Sequence, residues 1–480
     1  MKIAGIYPLN NVVDPKIQHA VSEPYGLERI LAIAKNEGHD VELFIPFDSN
    51  YEKFLKKILD FNPDIACFSA YTCQFPLAER VANELKNHNP KIINMAGNRY
   101  PTYLGGKIKY PFDIFALGEG EATFQEFLGQ LKNGNKDFEK VKGLAIRIDD
   151  TKSICTEKRP RIADIDMYPN AIRNKDVLAQ VYRAISIPAL SANPHYAIME
   201  YSRGCECACS FCDNAGFWRT KDINVVYRSP QKVVEEMFSI KEQTKDPIIF
   251  YFIDLNFTTN KDKTNQLLDE MIKQKLNVSW YCMSNIQTLD NENELLSKMK
   301  EAGCFKIAFG IESTNNSSLK SMNKSTNNSF LKVDKIIQVL ENTAQVGILN
   351  QGFYIIGFDW ETEESIWEDS HNLVNFPLHQ LNVGIFTPIP LSAFYNKYIS
   401  YGIETDLRKH DRNTLIFKHP NGITNTKIKD LQNKIHRRFY SSVQYKKYIN
   451  DLIAKEPRFK KAFNDYFEYY EHDTRIEDYG

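Results

Sequence analysis

The sequence predicts an α/β chain with two parallel-sheet domains in series. The first is flavodoxin/Rossmann-like, the second a partial (β/α)6 barrel, and a mostly helical C-terminal tail follows. Three observations carry this reading. Apolar strands alternate with helical stretches from Lys2 to Leu131. The alternation resumes at Tyr196 and runs longer. A cysteine-rich loop follows the first strand of the second series. The expected divisions are 1–140 for the first domain, 141–194 for a hairpin and linker, 195–395 for the barrel and 396–480 for the tail.

In the first domain the strands read Lys2 to Tyr7, Val41 to Ile45, Ile65 to Ser69, Lys91 to Met95 and Asp113 to Leu117. Helices are expected at Leu27 to Asn36, Tyr51 to Leu59, Leu77 to Asn87 and Ala122 to Leu131, with Gly38 ending the first. Apolar strands joined through helices make a parallel sheet covered on both faces. Ligands bind beyond the carboxyl ends of such strands. Here those ends are Asn10 to Tyr25, Ala70 to Phe75, Gly97 to Thr102 and Gly118 to Glu121. Val141 to Ile148 and Ser153 to Glu157 read as a small hairpin, and Lys158 to Pro169 as a charged linker.

The barrel strands read Ala197 to Tyr201, Ile248 to Asp254, Ser279 to Ser284, Lys306 to Glu312, Gly352 to Phe358 and Asn382 to Pro388. Between them lie helices at Pro230 to Glu242, Asp262 to Gln274, Glu292 to Ala302, Phe330 to Val346 and Glu363 to Val374. Active sites in such barrels sit at the carboxyl ends of the strands. The aromatic-rich tail after Tyr395 is assigned no role.

Composition bounds the function. The 480 residues are 42% hydrophobic and 25% charged, ordinary for a soluble globular protein. A net charge of −1 gives no electrostatic case for nucleic acid or an anionic membrane. No apolar run reaches the ~20 residues of a membrane span. The start is too short in its apolar part for a signal peptide, so the nine cysteines are read as reduced and the location as cytoplasmic. The ten histidines show no metal spacing.

The loop runs Cys205-Glu-Cys-Ala-Cys209-Ser-Phe-Cys212. Its C-x3-C-x2-C spacing suits three corners of a [4Fe–4S] cube, leaving one iron open to a substrate. Cys207 supplies a fourth thiol, so a closed cluster or a zinc site is the alternative. A structural zinc site usually pairs two separated knuckles, which are absent here. The remaining cysteines, Cys67, Cys73, Cys155, Cys282 and Cys304, are read as small buried hydrophobes or incidental thiols.

With Phe211 before its last cysteine, this loop resembles the cluster loop of the radical S-adenosylmethionine (SAM) superfamily. Phe309-Gly-Ile-Glu-Ser313, Met322-Asn-Lys324, Phe217-Trp-Arg219, Tyr227-Arg-Ser-Pro230 and Ile356-Gly-Phe358 extend the likeness. So does Thr387-Pro-Ile-Pro-Leu-Ser392, where Leu391 replaces a family glycine. The resemblance implies cluster ligation by Cys205, Cys209 and Cys212. It implies SAM contacts from Phe211, Asp254, Asn256, Ser284, Asn285, Gly310 and Glu312. An arginine that relatives often carry after the third strand is missing at Cys282-Met-Ser-Asn285.

The first domain resembles the cobalamin-binding domain that precedes many radical SAM enzymes, through Pro24 to Leu31, Gly38 to Leu43, Pro63 to Ser69, Ala96 to Thr102 and Leu117 to Phe124. The likeness places cobalamin over Thr72, Gly97, Thr102, Gly118 and Glu119. No D-x-H-x-x-G motif is present, so no histidine is evident below cobalt. The implied activity is reductive cleavage of SAM to a 5′-deoxyadenosyl radical, with cobalamin-dependent methyl transfer to an unactivated carbon of a small molecule. A reductant such as flavodoxin or ferredoxin is the implied partner. A cobalamin-free dehydration or rearrangement is one alternative, and a non-catalytic iron–sulfur or zinc protein the other.

Overall fold

The computed structural model describes residues 1–9, 23–47, 50–134, 137–173, 177–178, 195–218, 225–244, 247–326, 329–461 and 463. Most of the first expected ligand loop, Asn10 to Ser22, lies outside them, as does Arg219. The chain divides into two compact units. One holds Met1–Ile185, Gly216–Val226 and Thr405–Arg408; the other holds Ser186–Ala215, Tyr227–Glu404 and Lys409–Gly480.

The first unit contains β1 (Lys2–Ile6), β2 (Asp40–Phe44), β3 (Ile65–Ser69), β4 (Ile93–Gly97), β5 (Ile114–Ala116), β6 (Leu144–Arg147) and β7 (Ser153–Cys155). They form one sheet in the order β2-β1-β3-β4-β5-β6-β7. The first five strands are parallel. Their order is that of flavodoxin-like folds, which bind ligands where the chain reverses direction across the sheet. Ile3, Ala4, Ile6, Ile65 to Phe68 and Ile114 to Phe115 are buried, as strands covered on both faces require. The cover is α1 (Tyr25–Asn36), α2 (Tyr51–Phe61), α3 (Phe75–His88), α4 (Arg99–Leu104) and α5 (Glu121–Lys132). Local chemistry sets the ends of α2: Asn50 Oδ1 accepts from Lys53 N at 3.0 Å, and Asn62 closes the helix at φ 51°. The hairpin read as a connector instead extends the sheet, because β6 pairs antiparallel with β5. The third expected ligand loop, Gly97 to Thr102, is not all loop: α4 starts inside it, at Arg99.

The second unit is built on β8 (His195–Met199), β9 (Ile248–Phe252), β10 (Ser279–Ser284), β11 (Cys304–Glu312), β12 (Leu349–Ile356) and β13 (Gln380–Ile385). All are parallel and paired in chain order, giving an open six-stranded barrel. Helices α6 (Pro230–Thr244), α7 (Lys261–Lys273), α8 (Asn293–Glu301), α9 (Val333–Gln345) and α10 (Glu363–Ser370) connect them. The expected helix from Phe330 starts later, because Phe330 pairs with Ser325 in a small hairpin.

The tail has a structural role. Helix α11 (Asn425–Ser441) lies on the free edge of β13. Tyr440 Oη donates to Leu381 O at 3.0 Å and accepts from Leu381 N at 2.9 Å. Gln432 Nε2 donates to Val383 O at 2.5 Å. Side chains thus satisfy the edge polar groups that would otherwise invite another strand. After α12 (Val443–Lys455), Phe459 packs on Phe305, with ring centroids 6.4 Å apart, and Arg458 reaches Ser279 at the amino end of β10. The tail therefore closes the amino-terminal end of the barrel. No helix among the described residues is long and apolar enough to cross a membrane.

Candidate functional site

The cysteine loop leaves the carboxyl end of β8 and is held from three sides. At its root, Asp254 accepts from Tyr201 N at 3.1 Å and from Ser202 N at 2.5 Å. Burial pushes the Asp254 carboxyl up to about 7, against the pull of those donors. Along the loop, Ser210 N donates to Met322 O at 2.9 Å and Asn323 Nδ2 to Ala208 O at 2.9 Å. From the far side, Phe394 N donates to Ser210 O at 2.9 Å. The Met322-Asn-Lys324 segment and the turn after β13 are therefore clasps on the loop.

All four loop cysteines are free thiols. Burial pushes Cys209 up to about 12, partly offset by the Lys324 charge. Cys207 has several partners: Asn285 Nδ2 donates to its Sγ at 3.1 Å, Thr326 Oγ1 lies 3.4 Å away, and the Cys205 side chain hydrogen-bonds to it. Among the described residues no three His, Cys, Asp or Glu side chains converge as for a single metal ion. A cube places its corner irons apart, so three thiolates on one loop fit it without meeting at a point.

Beside the loop, β11 ends in a strained turn, with Glu312 at φ 60°. Glu312 Oε1 accepts from Lys324 Nζ at 2.7 Å, and both residues are buried. A Cβ at Gly310 would fall on Glu312 Oε1 and lie 2.8 Å from Lys324 Nζ. Burial lowers the Lys324 pKa, but the adjacent Glu312 and the loop thiols more than offset it and hold the ammonium charged. Lys324 also lies 6.0 Å from the Phe211 ring centroid. Phe211 in turn meets Phe358, which stacks on Trp360 and Phe386 at 4.6 and 4.4 Å.

The structure thus brings Phe211, Asn285, Gly310 and Glu312 around the cysteine loop. Asp254, Asn256 and Ser284 lie at the strand ends beside it and are hydrogen-bonded within the protein. Asn256 Oδ1 accepts from Asn285 N at 2.9 Å, and the Ser284 and Thr258 hydroxyls touch. Reading the sequence assigned no role to Lys324, Asn323 or Thr326. The missing arginine was the available signal for Lys324, since a site without one cation needs another.

In the first unit the ends of β3, β4 and β5 lie side by side. Thr72 is buried, in the turn after β3. Asn98 Nδ2 donates to Ser69 Oγ at 3.1 Å, joining two of these ends. Thr102 Oγ1 donates to Asn98 O at 2.8 Å and accepts from Gly118 N at 3.0 Å. Glu119 pairs with Arg161 at 3.2 Å and accepts from Ile162 N at 3.0 Å, so it acts as an anchor for the linker. A Cβ at Gly118 would meet nothing within 4 Å, and one at Gly97 only Ala116. The strand ends are thus open at Gly118, where a ligand could approach the backbone.

A flavodoxin-like parallel sheet is thus followed by an open parallel barrel whose first loop carries four free thiols. The family model described as a B12 binding domain matches residues 19–128, and that of the radical SAM superfamily matches residues 199–372. The chain belongs to the radical SAM enzymes that carry a B12-binding domain, whose cofactors are a [4Fe–4S] cluster, SAM and cobalamin. It is 27% identical over 406 residues to an anaerobic magnesium-protoporphyrin IX monomethyl ester cyclase of Rubrivivax gelatinosus, covering 84% of this chain and 70% of that one. It is 25% identical to a cytidylyl-2-hydroxyethylphosphonate methyltransferase of Streptomyces wedmorensis, covering 70% and 68%. The fold is similar to that of the radical SAM methyltransferase TsrM of Kitasatospora setae, solved with cobalamin and a [4Fe–4S] cluster. The TM-score is 0.66 at 14% identity, covering 83% of this chain and 74% of that one.

Proposed function

We propose that this enzyme transfers a methyl group to an unactivated carbon of a small molecule. The observation that carries the reading is a barrel-mouth site with a buried cation and a buried anion 2.7 Å apart, beside a loop of four free thiols. When bound, the cluster supplies the electron that splits SAM into methionine and a 5′-deoxyadenosyl radical, and cobalamin carries the methyl group. Cys205, Cys209 and Cys212 hold the cluster as thiolates. The amino-acid end of SAM is a zwitterion and complements the Glu312–Lys324 pair. Glu312 takes its ammonium and Lys324 its carboxylate, filling the role of the missing arginine. The Phe211, Phe358 and Trp360 rings keep water from a radical that attacks any C–H bond it meets. Thr72, Gly97, Thr102, Gly118 and Glu119 form or support the cobalamin bed, and a flavodoxin or ferredoxin delivers the electron.

Products test this. Methyl transfer through cobalamin consumes two SAM per turnover, one giving 5′-deoxyadenosine and the other S-adenosylhomocysteine. Protein reconstituted with cluster and hydroxocobalamin should yield both in equal amounts with substrate present. The cyclase name of one relative supports a second reading, radical ring closure. That reaction would give 5′-deoxyadenosine without S-adenosylhomocysteine.

A further inference from the structure

Lys306 lies on β11, two alternations below Gly310 on the same strand face. That face is the barrel interior. Ile307, Phe309 and Ile311, which alternate with it, are wholly buried, and Ile311 packs beside Gly352 and Leu378 on the outer side. On the neighbouring strand Trp280 points outward against Phe252 and Phe257, which leaves Tyr281 inward. The Lys306 ammonium sits 4.2 Å from the Tyr281 ring centroid. Tyr281 stacks on Tyr251 at 4.4 Å and meets Tyr196 edge-on at 6.4 Å.

Lys306 is 3% exposed. Among the described residues no carboxylate pairs with it, and burial alone lowers its pKa to about 7. Buried charges in proteins are normally paired, because an unpaired one is expensive to desolvate. A tyrosine face returns only part of that cost. Yet the interior is not sealed: Tyr251, Gln351 and Phe353 on neighbouring strands are each partly exposed. Phe459 packs on Phe305 at the amino-terminal end, and the cysteine loop leaves the opposite, carboxyl end of β8.

We propose that the barrel interior is a binding site for a carboxylate-bearing substrate, with Lys306 as the anchor of its carboxylate and the Tyr251–Tyr281 stack as its wall. The four-residue step from Lys306 to Gly310 spans about 13 Å of strand, which sets the reach of the substrate. A molecule anchored at Lys306 presents to the radical a carbon roughly that far from its carboxylate. The inference rests on the proposed methyl-transfer reading for the fate of that carbon; the site itself is defined by Lys306 and the tyrosines.

The test uses the full chain with its cluster and glutarate as probe, at ionic strength matched with sodium chloride. Wild-type protein should bind glutarate saturably, and Lys306→Met should bind at least tenfold more weakly. Lys306→Met should also unfold at a higher temperature than wild type without glutarate, because a buried unpaired charge has been replaced by an apolar chain of similar length. Lys306→Gln serves as second variant should the first fail to fold. Glutarate binding that is absent from wild type, or equal in wild type and variant, overturns the proposal. So does a lower unfolding temperature for both variants, which would make Lys306 a packing element. Failure of wild-type protein to cleave SAM would instead sink the methyl-transfer reading.

Discussion

Lys324 Nζ lies 2.7 Å from Glu312 Oε1, in space that only a glycine at position 310 leaves free. This relationship explains three sequence features together. Gly310 has no side chain because the ion pair occupies its Cβ position. Glu312 accepts φ 60° because that turn aims its carboxylate at the lysine. Lys324 is buried because its neighbours Met322 and Asn323 grip the cysteine loop.

Removing one member of the pair should therefore be costly. Lys324→Met leaves Glu312 buried and unpaired, a loss of about 3–5 kcal/mol, and the double variant with Glu312→Gln should recover much of it. In that folded double variant SAM should bind about 10–100-fold more weakly, as expected for lost charge-assisted hydrogen bonds. Binding of 5′-methylthioadenosine, which lacks the amino-acid end, should change little. Equal losses for both ligands would mean that the pair is structural.

Gly310→Ala forces the pair apart. A methyl group pressed into a filled site costs about 1–3 kcal/mol. Thermal unfolding should show that loss, and the isotherm for SAM should weaken while iron content stays at the wild-type level.

Much of the fold was legible because strand runs and helix periods are local signals. The cysteine loop was legible for the same reason, since its ligands lie within eight positions of one another. Partnerships across elements were not. Lys324 is separated from Glu312 by a helical turn at Asn316–Ser321, so spacing gave no hint that they touch. The β6–β7 hairpin read as a connector because nothing local shows that β5 waits for it. Phe330 read as helical because its pairing with Ser325 joins two strands of two residues each, too short to leave a period in the sequence. The bonds of Asp254 to the root of the cysteine loop, and of Ser284 to Thr258, were not legible either, because a strand-end polar residue carries no local sign of its partner.

Leu391 keeps the backbone of the glycine it replaces, at φ 74°. A left-handed leucine costs about 1–2 kcal/mol relative to the normal region. Leu391→Gly should thus raise stability by about 1 kcal/mol. The turn holds Ser392 N on Ile389 O and presents Phe394 N to Ser210 O, so its geometry should survive. A stabilised variant with altered product yield would show that the leucine side chain is kept for the substrate.

The cysteine register makes a sharp comparison. Alanine at Cys205, Cys209 or Cys212 should abolish cluster assembly or SAM cleavage. Cys207→Ala should retain both, because Cys207 falls outside the C-x3-C-x2-C register. Iron and sulfide content after anaerobic reconstitution decides it, and cluster loss in Cys207→Ala alone would overturn the assignment.

Lys306 should leave a mark on the pH dependence of stability. Its pKa falls from 10.5 to about 7 on folding because burial penalises the ammonium. Between those values the unfolded chain binds a proton that the folded chain does not. Stability must then rise with pH across that window, and fall as pH drops through 7. The ring that faces it is Tyr281, stacked on Tyr251 and edge-on to Tyr196; burial raises the pKa of Tyr281 well above its ordinary value, so Tyr281 does not mask the effect below 10. Denaturant unfolding at a series of pH values should show a steeper rise for wild type than for Lys306→Met. Parallel curves would mean that Lys306 stays charged in the folded protein, held by a partner.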